Sequence, residues 1–284
     1  MKRLRRHLAV STLLLLAAAA ALAGPEFGYV HAAQALDRTE PQGKAEATAI
    51  HYTALPRKKR DERRTSAPAL SQLINKYPDT FLVRGPAVKR AALTFDDVPD
   101  PRFTPHLLDV LKQHQVKATF FVVGSRARKH PAIVQRIVRE GHIIGNHSYS
   151  HPRFGKMGVG PFRDQIERTE TVLLRQIGYR PLLIRPPYGE ITEDQLLWAK
   201  RRGYRIVNWN VDSSDWRSLP RRKVAYNILS SAGRGSIILQ HGGGGRGSDL
   251  NGSIDALPEV IASLRSRGYQ LVTVPELFGL PKRK

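Results

Sequence analysis

The sequence predicts an α/β fold whose parallel strands form a barrel or a partly open barrel. From about residue 87, short apolar segments alternate with amphipathic segments of roughly ten to fifteen residues, which is the pattern of repeated βα units. Gly141, Gly178, Gly203 and Gly268 each follow a helical segment, at the position where a C-cap glycine is expected. About seven strands can be counted in this way, and that number favours a barrel.

Each predicted strand is a short apolar run, and each predicted helix has apolar residues along one face. The strands fall at 91–95, 118–123, 143–145, 182–184, 205–209, 236–240 and 270–274. The helices between them fall near 104–114, 131–140, 161–177, 192–202, 220–232 and 256–267. Upstream, residues 70–77 can form a short helix that packs against the domain. The polar motifs described below come after these strands, at the edge where α/β barrels and sheets build their sites.

The first 32 residues are interpreted as a signal peptide. Basic residues between Lys2 and Arg6 precede the apolar run 8–23, which is shorter than the roughly 20 residues that span a bilayer. Small-residue cleavage sites end at Ala23 and at Ala32, and the second is preferred. Export predicts a protein that is secreted or associated with the cell wall, with an uncleaved membrane anchor as the alternative.

Residues 33–86 are interpreted as a basic, mostly flexible extension, and residues 87–280 as the domain that carries the motifs. The chain has 46 Lys and Arg against 24 Asp and Glu, a formal net charge of +22. Such a charge favours anionic cell-wall polymers, anionic glycans or lipid head groups, although a solvated basic surface is the simpler alternative. Nucleic acid is not expected as a partner, because the protein is exported and the basic run 57–64 has no aromatic residue for base stacking.

Two aspartates and two histidines form the strongest candidate for a metal site. Asp96 and Asp97 follow a predicted strand, and His147 and His151 come after another. One carboxylate and two imidazoles make a facial ligand set that leaves positions open for water and substrate, and the neighbouring carboxylate could then act as a base on water. Taken singly, such an Asp commonly caps a helix, and a lone His commonly lies at the surface. Because the chain has no Cys, any metal must be held by nitrogen and oxygen atoms.

Three further strand ends carry unusual groups. Arg185 precedes two prolines and Tyr188, and this rigid turn fixes both the guanidinium and the Tyr188 backbone amide. The segment from Asp212 to Trp216 reads Asp-Ser-Ser-Asp-Trp, and His241 stands before four glycines that leave room for a substrate. Each has an ordinary alternative: a salt bridge for Arg185, a helix cap for Asp212 and a core position for Trp216. The glycine run lacks the Gly-Lys-Ser/Thr ending of a phosphate loop.

The sequence contains five motifs that, in their order and spacing, resemble the five motifs of the polysaccharide deacetylases. They are Thr-Phe-Asp-Asp, His-x-x-x-His, Arg-x-Pro-Tyr, Asp-x-x-Asp-Trp and Ile-x-Leu-x-His. These are the NodB homology domains, or carbohydrate esterase family 4, and the resemblance covers roughly residues 87–280. It implies a distorted, incomplete (β/α) barrel and metal-dependent hydrolysis of N-acetyl groups on amino sugars. Val98 and Gly242 depart from the residues most often found at their positions, Gly and Asp, but neither position carries chemistry.

The resemblance also implies a role for each motif residue. It implies that Asp97, His147 and His151 bind the metal, that Asp96 is the general base and that Arg185 orients it. It implies that His241 is the general acid and that Asp215 tunes its protonation. The Tyr188 backbone N–H would contact the oxyanion, and Trp216 and Leu239 would form walls of the acetyl pocket. In this chemistry the base takes a proton from the attacking water, and the acid protonates the departing amine.

The expected cofactor is a divalent metal ion. His₂Asp ligation favours Zn²⁺, although Co²⁺, Ni²⁺ or Mn²⁺ could occupy the same ligands. The expected substrate is an N-acetylated polysaccharide, with N-acetylglucosamine in peptidoglycan favoured, while N-acetylmuramic acid, chitin oligomers and exopolysaccharide stay open. The alternative function is a non-catalytic module that binds glycan or cell wall; loss of a ligand or of Asp96 would favour it, and neither is lost. A monomer is expected.

Overall fold

The computed structural model describes residues 69–284. The predicted signal peptide and residues 33–68 of the predicted extension lie outside the described residues. Within residues 69–284 the chain forms nine strands: β1 (Phe81–Leu82), β2 (Arg90–Val98), β3 (Thr119–Val122), β4 (Ile143–Asn146), β5 (Leu183–Ile184), β6 (Arg205–Val207), β7 (Val211–Asp212), β8 (Ser236–His241) and β9 (Gln270–Leu271). The α-helices of the same region are α1 (Leu70–Lys76), α2 (Thr104–Gln113), α3 (Gly124–Lys129), α4 (Pro131–Arg139), α5 (Val159–Ile177), α6 (Glu193–Arg201), α7 (Arg221–Ser231), α8 (Asn251–Ser266) and α9 (Val274–Phe278).

The strands of the described region belong to one parallel sheet that curls into an incomplete barrel. Their order is β1-β6-β5-β4-β3-β2-β8-β7, and β9 pairs with the beginning of β2. Among the described residues no ladder joins β1 to β7, so the barrel stays open between these two strands. The predicted distorted, incomplete (β/α) barrel is therefore confirmed.

Side-chain alternation in β2 decides which of its residues reach the interior of the barrel. Ala91, Leu93 and Phe95 pack outward in the cluster that the helices cover, whereas Ala92 belongs to the interior cluster. Successive side chains of a strand point to opposite faces. Asp96 therefore shares the interior face with Ala92, and it lies where the strand reaches the open end of the barrel.

The same alternation places polar residues from β4, β5 and β8 at the open end of the barrel, near Asp96. The interior cluster includes Ile143 on β4, Leu183 on β5 and Ile237 on β8. His147, Arg185 and His241 each follow the interior residue of their own strand by an even number of positions, so they extend the interior rows at the carboxyl ends. The amino end of the interior is closed by apolar residues of α9, Val274 and Leu277.

Two apolar layers hold the helices against the outside of the sheet. One contains the outward faces of β2, β3 and β8 with the buried sides of α2, α4, α7 and α8. The other joins α1, α5 and α6 to β1, β5 and β6 around Phe81, Phe162 and Trp198. The predicted helices are confirmed, although α8 begins at Asn251, five residues before the prediction. The four predicted C-cap glycines all have the left-handed φ that the position requires.

Folded structure begins earlier than residue 87, where the sequence placed the start of the domain. The predicted short helix forms as α1, whose Leu73 is buried, and β1 pairs with β6 in parallel. Residues 70–82 thus contribute a helix and an edge strand to the barrel. The sequence analysis did not predict β1 and β7, which have two residues each. Among residues 69–284, no helix combines the length and the apolar character that a membrane span would need.

Candidate active site

A cavity of about 640 Å³ opens at the carboxyl ends of the strands. Eight of the ten predicted site residues line it, namely Asp96, Asp97, His147, His151, Tyr188, Trp216, Leu239 and His241. The other two, Arg185 and Asp215, are fully buried behind the cavity wall, and each contacts a residue that lines the cavity. The structure therefore brings all ten predicted residues together.

Asp97, His147 and His151 offer three ligand atoms that all lie within 4.8 Å of one another. The Oδ1 atom of Asp97 is 3.3 Å from Nε2 of His151 and 3.8 Å from Nε2 of His147. Asp97 thus reaches both imidazoles, whereas an oxygen of Asp96 lies near His147 alone, at 3.7 Å. Two imidazoles and a carboxylate form a donor set that suits a divalent ion. The geometry assigns Asp97, rather than Asp96, to that set.

The backbone around these ligands is held in an uncommon conformation. Asp97, Ser148 and His151 have φ values of 64°, 66° and 59°, in the left-handed region that residues other than glycine seldom adopt. Side-chain bonds hold the turn in place: the Ser148 hydroxyl accepts a hydrogen bond from the His151 N–H, and Asn146 accepts one from the Ser148 N–H. Backbone strain of this kind is concentrated at functional sites, where the surrounding structure enforces it.

His147 is prepared to act as a ligand through Nε2. Its Nδ1 lies 2.8 Å from the Arg185 carbonyl oxygen, which can only accept a hydrogen bond, so Nδ1 carries the proton. Burial lowers the pKa of His147 to about 3. The ring is therefore neutral near pH 7, and the lone pair of Nε2 faces the cavity.

Arg185 and Asp96 form a fully buried ion pair beneath the cavity. Nη1 of Arg185 donates to Oδ1 of Asp96 and to the Thr94 hydroxyl, at 2.8 Å each. Its Nε and Nη2 donate to carbonyl oxygens of β6 and the loop after it, and the guanidinium lies 4.1 Å from the centre of the Phe121 ring. Burial lowers the pKa of Arg185, and the neighbouring Asp96 charge acts in the opposite direction. Arg185 therefore fixes Oδ1 of Asp96, and the other carboxylate oxygen, Oδ2, lies on the side of the metal ligands.

Asp215 and His241 form a second buried pair on the other side of the cavity. Nδ1 of His241 donates to Oδ1 of Asp215 at 2.7 Å, and Oδ2 accepts from the His241 backbone N–H and from the Ser253 hydroxyl. Burial alone would lower the pKa of His241, but the charge and hydrogen bond of Asp215 outweigh it and raise the pKa to about 9. His241 is therefore protonated near pH 7, with Nε2–H toward the cavity.

We expect the Asp215→Asn substitution to move the alkaline limb of the pH profile of kcat/KM to lower pH. In the unmodified protein the protonated form of His241 persists up to a pKa of about 9 and is lost above it. Without the Asp215 charge the pKa of His241 falls, because burial lowers it and only the charges of Asp96 and Asp97 still raise it. Kinetics between pH 5 and 10 would check this. An unchanged alkaline limb in the variant would mean that His241 does not supply the proton.

The remaining predicted residues form the outer walls of the cavity. Tyr188 has a φ of 60°, and no described residue accepts a hydrogen bond from its backbone N–H. The Trp216 side chain is 58% exposed, which excludes the alternative that it is a core residue. Leu239 is buried and lines the cavity. Asp212 does not cap an α-helix; its carboxylate accepts a hydrogen bond from the Ser214 N–H within the loop.

Sequence reasoning missed five residues that line the cavity, namely Arg126, Arg153, Trp209, Ser248 and Leu250. Arg126 donates to the Asp97 carbonyl oxygen and to the Gly244 carbonyl oxygen, so it ties a predicted metal ligand to the glycine run. Its position at the start of α3, directly after β3, was the available signal. Arg153 stacks over the Tyr188 ring at 4.2 Å and pairs with Glu190. Trp209 lies just beyond the carboxyl end of β6.

Comparison with known proteins decides the family. Residues 84–207 match the family model described as polysaccharide deacetylase. A peptidoglycan-N-acetylglucosamine deacetylase of Bacillus cereus is 48% identical over 212 residues, which are 74% of this chain and 76% of that protein. The chain belongs to the polysaccharide deacetylase family. With the Asp-His-His ligand set in place, this deacetylase is a hydrolase that removes N-acetyl groups from carbohydrates.

Further relatives differ in the sugar that their names record. The peptidoglycan-N-acetylmuramic acid deacetylase PdaC of Bacillus subtilis is 38% identical over 199 residues, which are 70% of this deacetylase but 41% of that protein. A crystal structure of a peptidoglycan N-acetylglucosamine deacetylase in complex with 4-naphthalen-1-yl-N-oxidanyl-benzamide matches with a TM-score of 0.73 and 46% identity, over 75% of this chain and 100% of that chain. The resemblance drawn from the five motifs is confirmed, and so is the fold it implied.

Proposed function

We propose that this deacetylase removes the acetyl group from N-acetylglucosamine residues of peptidoglycan, using a bound Zn²⁺ ion. The observation that carries the proposal is the meeting of three groups in one cavity: the Asp97–His147–His151 ligand set, an arginine-held carboxylate and an aspartate-held imidazolium. The 48% identical relative named for this activity supports the choice of sugar.

The side chains suit a divalent metal ion. The donors are one carboxylate and two imidazoles, one of which is neutral and presents Nε2 to the cavity. Nitrogen and oxygen donors of this kind are common ligands of Zn²⁺, and the absence of Cys removes sulfur as a competitor. When bound, the ion would polarise the amide carbonyl and acidify water.

Asp96 takes the proton from the attacking water. Arg185 holds Oδ1 of this carboxylate, and Oδ2 remains available on the side of the ligand set. Because Arg185 and Thr94 are themselves buried and bonded, the carboxylate cannot rotate freely. This fixed orientation is what a general base requires in order to meet water at one defined position.

His241 protonates the nitrogen of the departing amine. An amine is a poor leaving group as an anion, so cleavage of its bond to carbon needs a proton from a positioned acid. Asp215 keeps His241 protonated and fixes Nδ1–H, which directs Nε2–H into the cavity. Water supplies a hydroxyl group to the acetyl carbon, and the products are acetate and a free amine on the sugar.

The cavity walls stabilise the reacting amide. The Tyr188 backbone N–H has no acceptor among the described residues, so it is available to the negative charge that develops on the carbonyl oxygen. Trp216 and Leu239 give apolar contact to the acetyl methyl group on the other side.

The site of action follows from the N-terminal sequence. We propose that residues 1–32 direct export and that the protein works at the cell wall, where peptidoglycan lies. The basic run 57–64 would add affinity for anionic wall polymers through a field that salt screens. Binding to isolated cell wall with and without residues 33–68 would measure that contribution.

Acetate release and the position of the new amine test the substrate. We expect the purified protein to release acetate from peptidoglycan, and mass spectrometry of the digested glycan to find glucosamine. Muramic acid without its acetyl group would assign the activity to the other sugar, as the name of the 38% identical relative records. Glycan binding with no acetate release in metal-loaded protein would instead support a non-catalytic module. Chitin oligomers and acetylated exopolysaccharide complete the panel.

A further inference from the structure

A second cavity of about 440 Å³ adjoins the catalytic cavity, and the mechanism does not use it. Asp212 lines both cavities. The 3₁₀ turn Asp215–Arg217 lies between them, because Trp216 lines the catalytic cavity and Arg217, the next residue, lines the second one. A polymer bound in the catalytic cavity could therefore place a neighbouring unit in the second.

The second cavity is polar and carries more positive than negative groups. Arg217 and Lys223 line it with Asn227 and three serines, and Leu219 is the apolar residue in its lining. Both cations are exposed, and neither forms an ion pair with any residue in the described part of the chain. Asp212 is the acidic residue in the lining, and its Oδ1 already accepts a hydrogen bond from the Ser214 N–H.

These groups match an anionic, hydroxylated ligand. Arg and Lys bind carboxylates through charge-assisted hydrogen bonds, and serine and asparagine side chains can bond to sugar hydroxyls. The turn that presents Arg217 is flanked by Ser214 and Ser218, both with left-handed φ, so its backbone is held in a defined shape. A neutral apolar ligand would leave both cations without a counter-charge.

We propose that the second cavity binds a carboxylate-bearing sugar next to the N-acetyl sugar that is being deacetylated. This inference rests on the proposed function, because in peptidoglycan N-acetylglucosamine alternates with N-acetylmuramic acid, whose lactyl group carries a carboxyl or a peptide with its own carboxylates. Arg217 and Lys223 would then favour an acidic glycan over a neutral chitin oligomer of the same length.

The test compares the dissociation constants of two tetrasaccharides. One is uncharged (tetra-N-acetylchitotetraose, called chitotetraose below), and the other alternates N-acetylglucosamine and N-acetylmuramic acid. Binding is measured by calorimetry on the metal-loaded Asp96→Asn protein, with and without the Arg217→Gln and Lys223→Gln substitutions together. We expect the Kd of the acidic tetrasaccharide to rise by about three- to tenfold, the range for two exposed charge pairs, and the Kd of chitotetraose to stay the same. The matched control is Arg222→Gln. Arg222 is exposed and lies on α7 next to Lys223, but it does not line the second cavity.

Three outcomes would overturn the inference. These are an equal loss of affinity for both tetrasaccharides, no loss for either, or a loss of the same size in the Arg222→Gln control. Because the readout is binding, it separates this inference from the proposed function. Absence of acetate release by the unmodified protein would refute the deacetylase activity on peptidoglycan, whereas the selective change in Kd reports on the second cavity alone.

Discussion

Replacing Asp96 with Asn should lower kcat by about 10²- to 10⁴-fold, the usual contribution of a positioned general base. Asn keeps the size of the side chain and can still accept a hydrogen bond from Arg185, but it cannot take a proton from water. The rate of acetate release from a soluble oligomer measures the loss. The substitution also leaves a buried guanidinium without its counter-charge, so thermal unfolding must be recorded and activity measured well below Tm.

The neighbouring substitution Asp97→Asn is the matched control. It removes the same charge one residue away, but at the carboxylate that reaches both imidazoles. We expect Asp97→Asn to lose bound metal and Asp96→Asn to keep it, as measured by elemental analysis after dialysis. If Asp96→Asn loses the metal and Asp97→Asn retains it, the two aspartates exchange roles.

Removal of the metal should abolish acetate release altogether. Without it, the amide carbonyl is not polarised and water near Asp96 keeps its ordinary, very weak acidity. The apolar core of the barrel contains none of the three metal ligands. Far-UV circular dichroism should therefore show that the protein stripped of metal is still folded. His147 and His151 belong to loops beyond the strand ends, and we therefore expect metal removal to affect activity far more than overall folding.

Much of the site was predictable because parallel strands bring their carboxyl ends to one edge. Each motif follows a strand, and strict alternation along β2, β4, β5 and β8 carries Asp96, His147, Arg185 and His241 to the interior. Apolar runs and C-cap glycines were enough to place seven strands. Sequence spacing therefore predicted which side chains meet, although it gave no distances.

The parts that the sequence did not predict depend on short segments and on loop paths. β1 and β7 have two residues each and α3 has six, and none of them lies in a longer periodic run that the sequence analysis recognised. The contact of Arg126 with the Asp97 carbonyl oxygen depends on how the glycine run folds back over the cavity. Likewise, Ser253 lies in the first turn of α8, which begins five residues before the predicted start of the helix, so its hydrogen bond to Asp215 was not foreseen.

The strength of the Asp215–His241 pair was also beyond sequence reasoning. The motif suggested that Asp215 tunes the protonation of His241, but the size of the effect depends on burial and on the number of hydrogen bonds that the carboxylate accepts. Three donors meet this one carboxylate in a buried setting, which lowers its pKa despite the cost of burial.

Acetate release measured against bound metal tests whether catalysis depends on the Asp97–His147–His151 site. The protein is stripped with a chelator, dialysed, verified to be metal-free, and then loaded with increasing amounts of Zn²⁺, with Co²⁺ in parallel. We expect no acetate release in the stripped protein and a rate that rises with bound metal until the Asp97–His147–His151 site is filled. Full activity in the verified metal-free protein, or a rate that does not follow metal content, would contradict it.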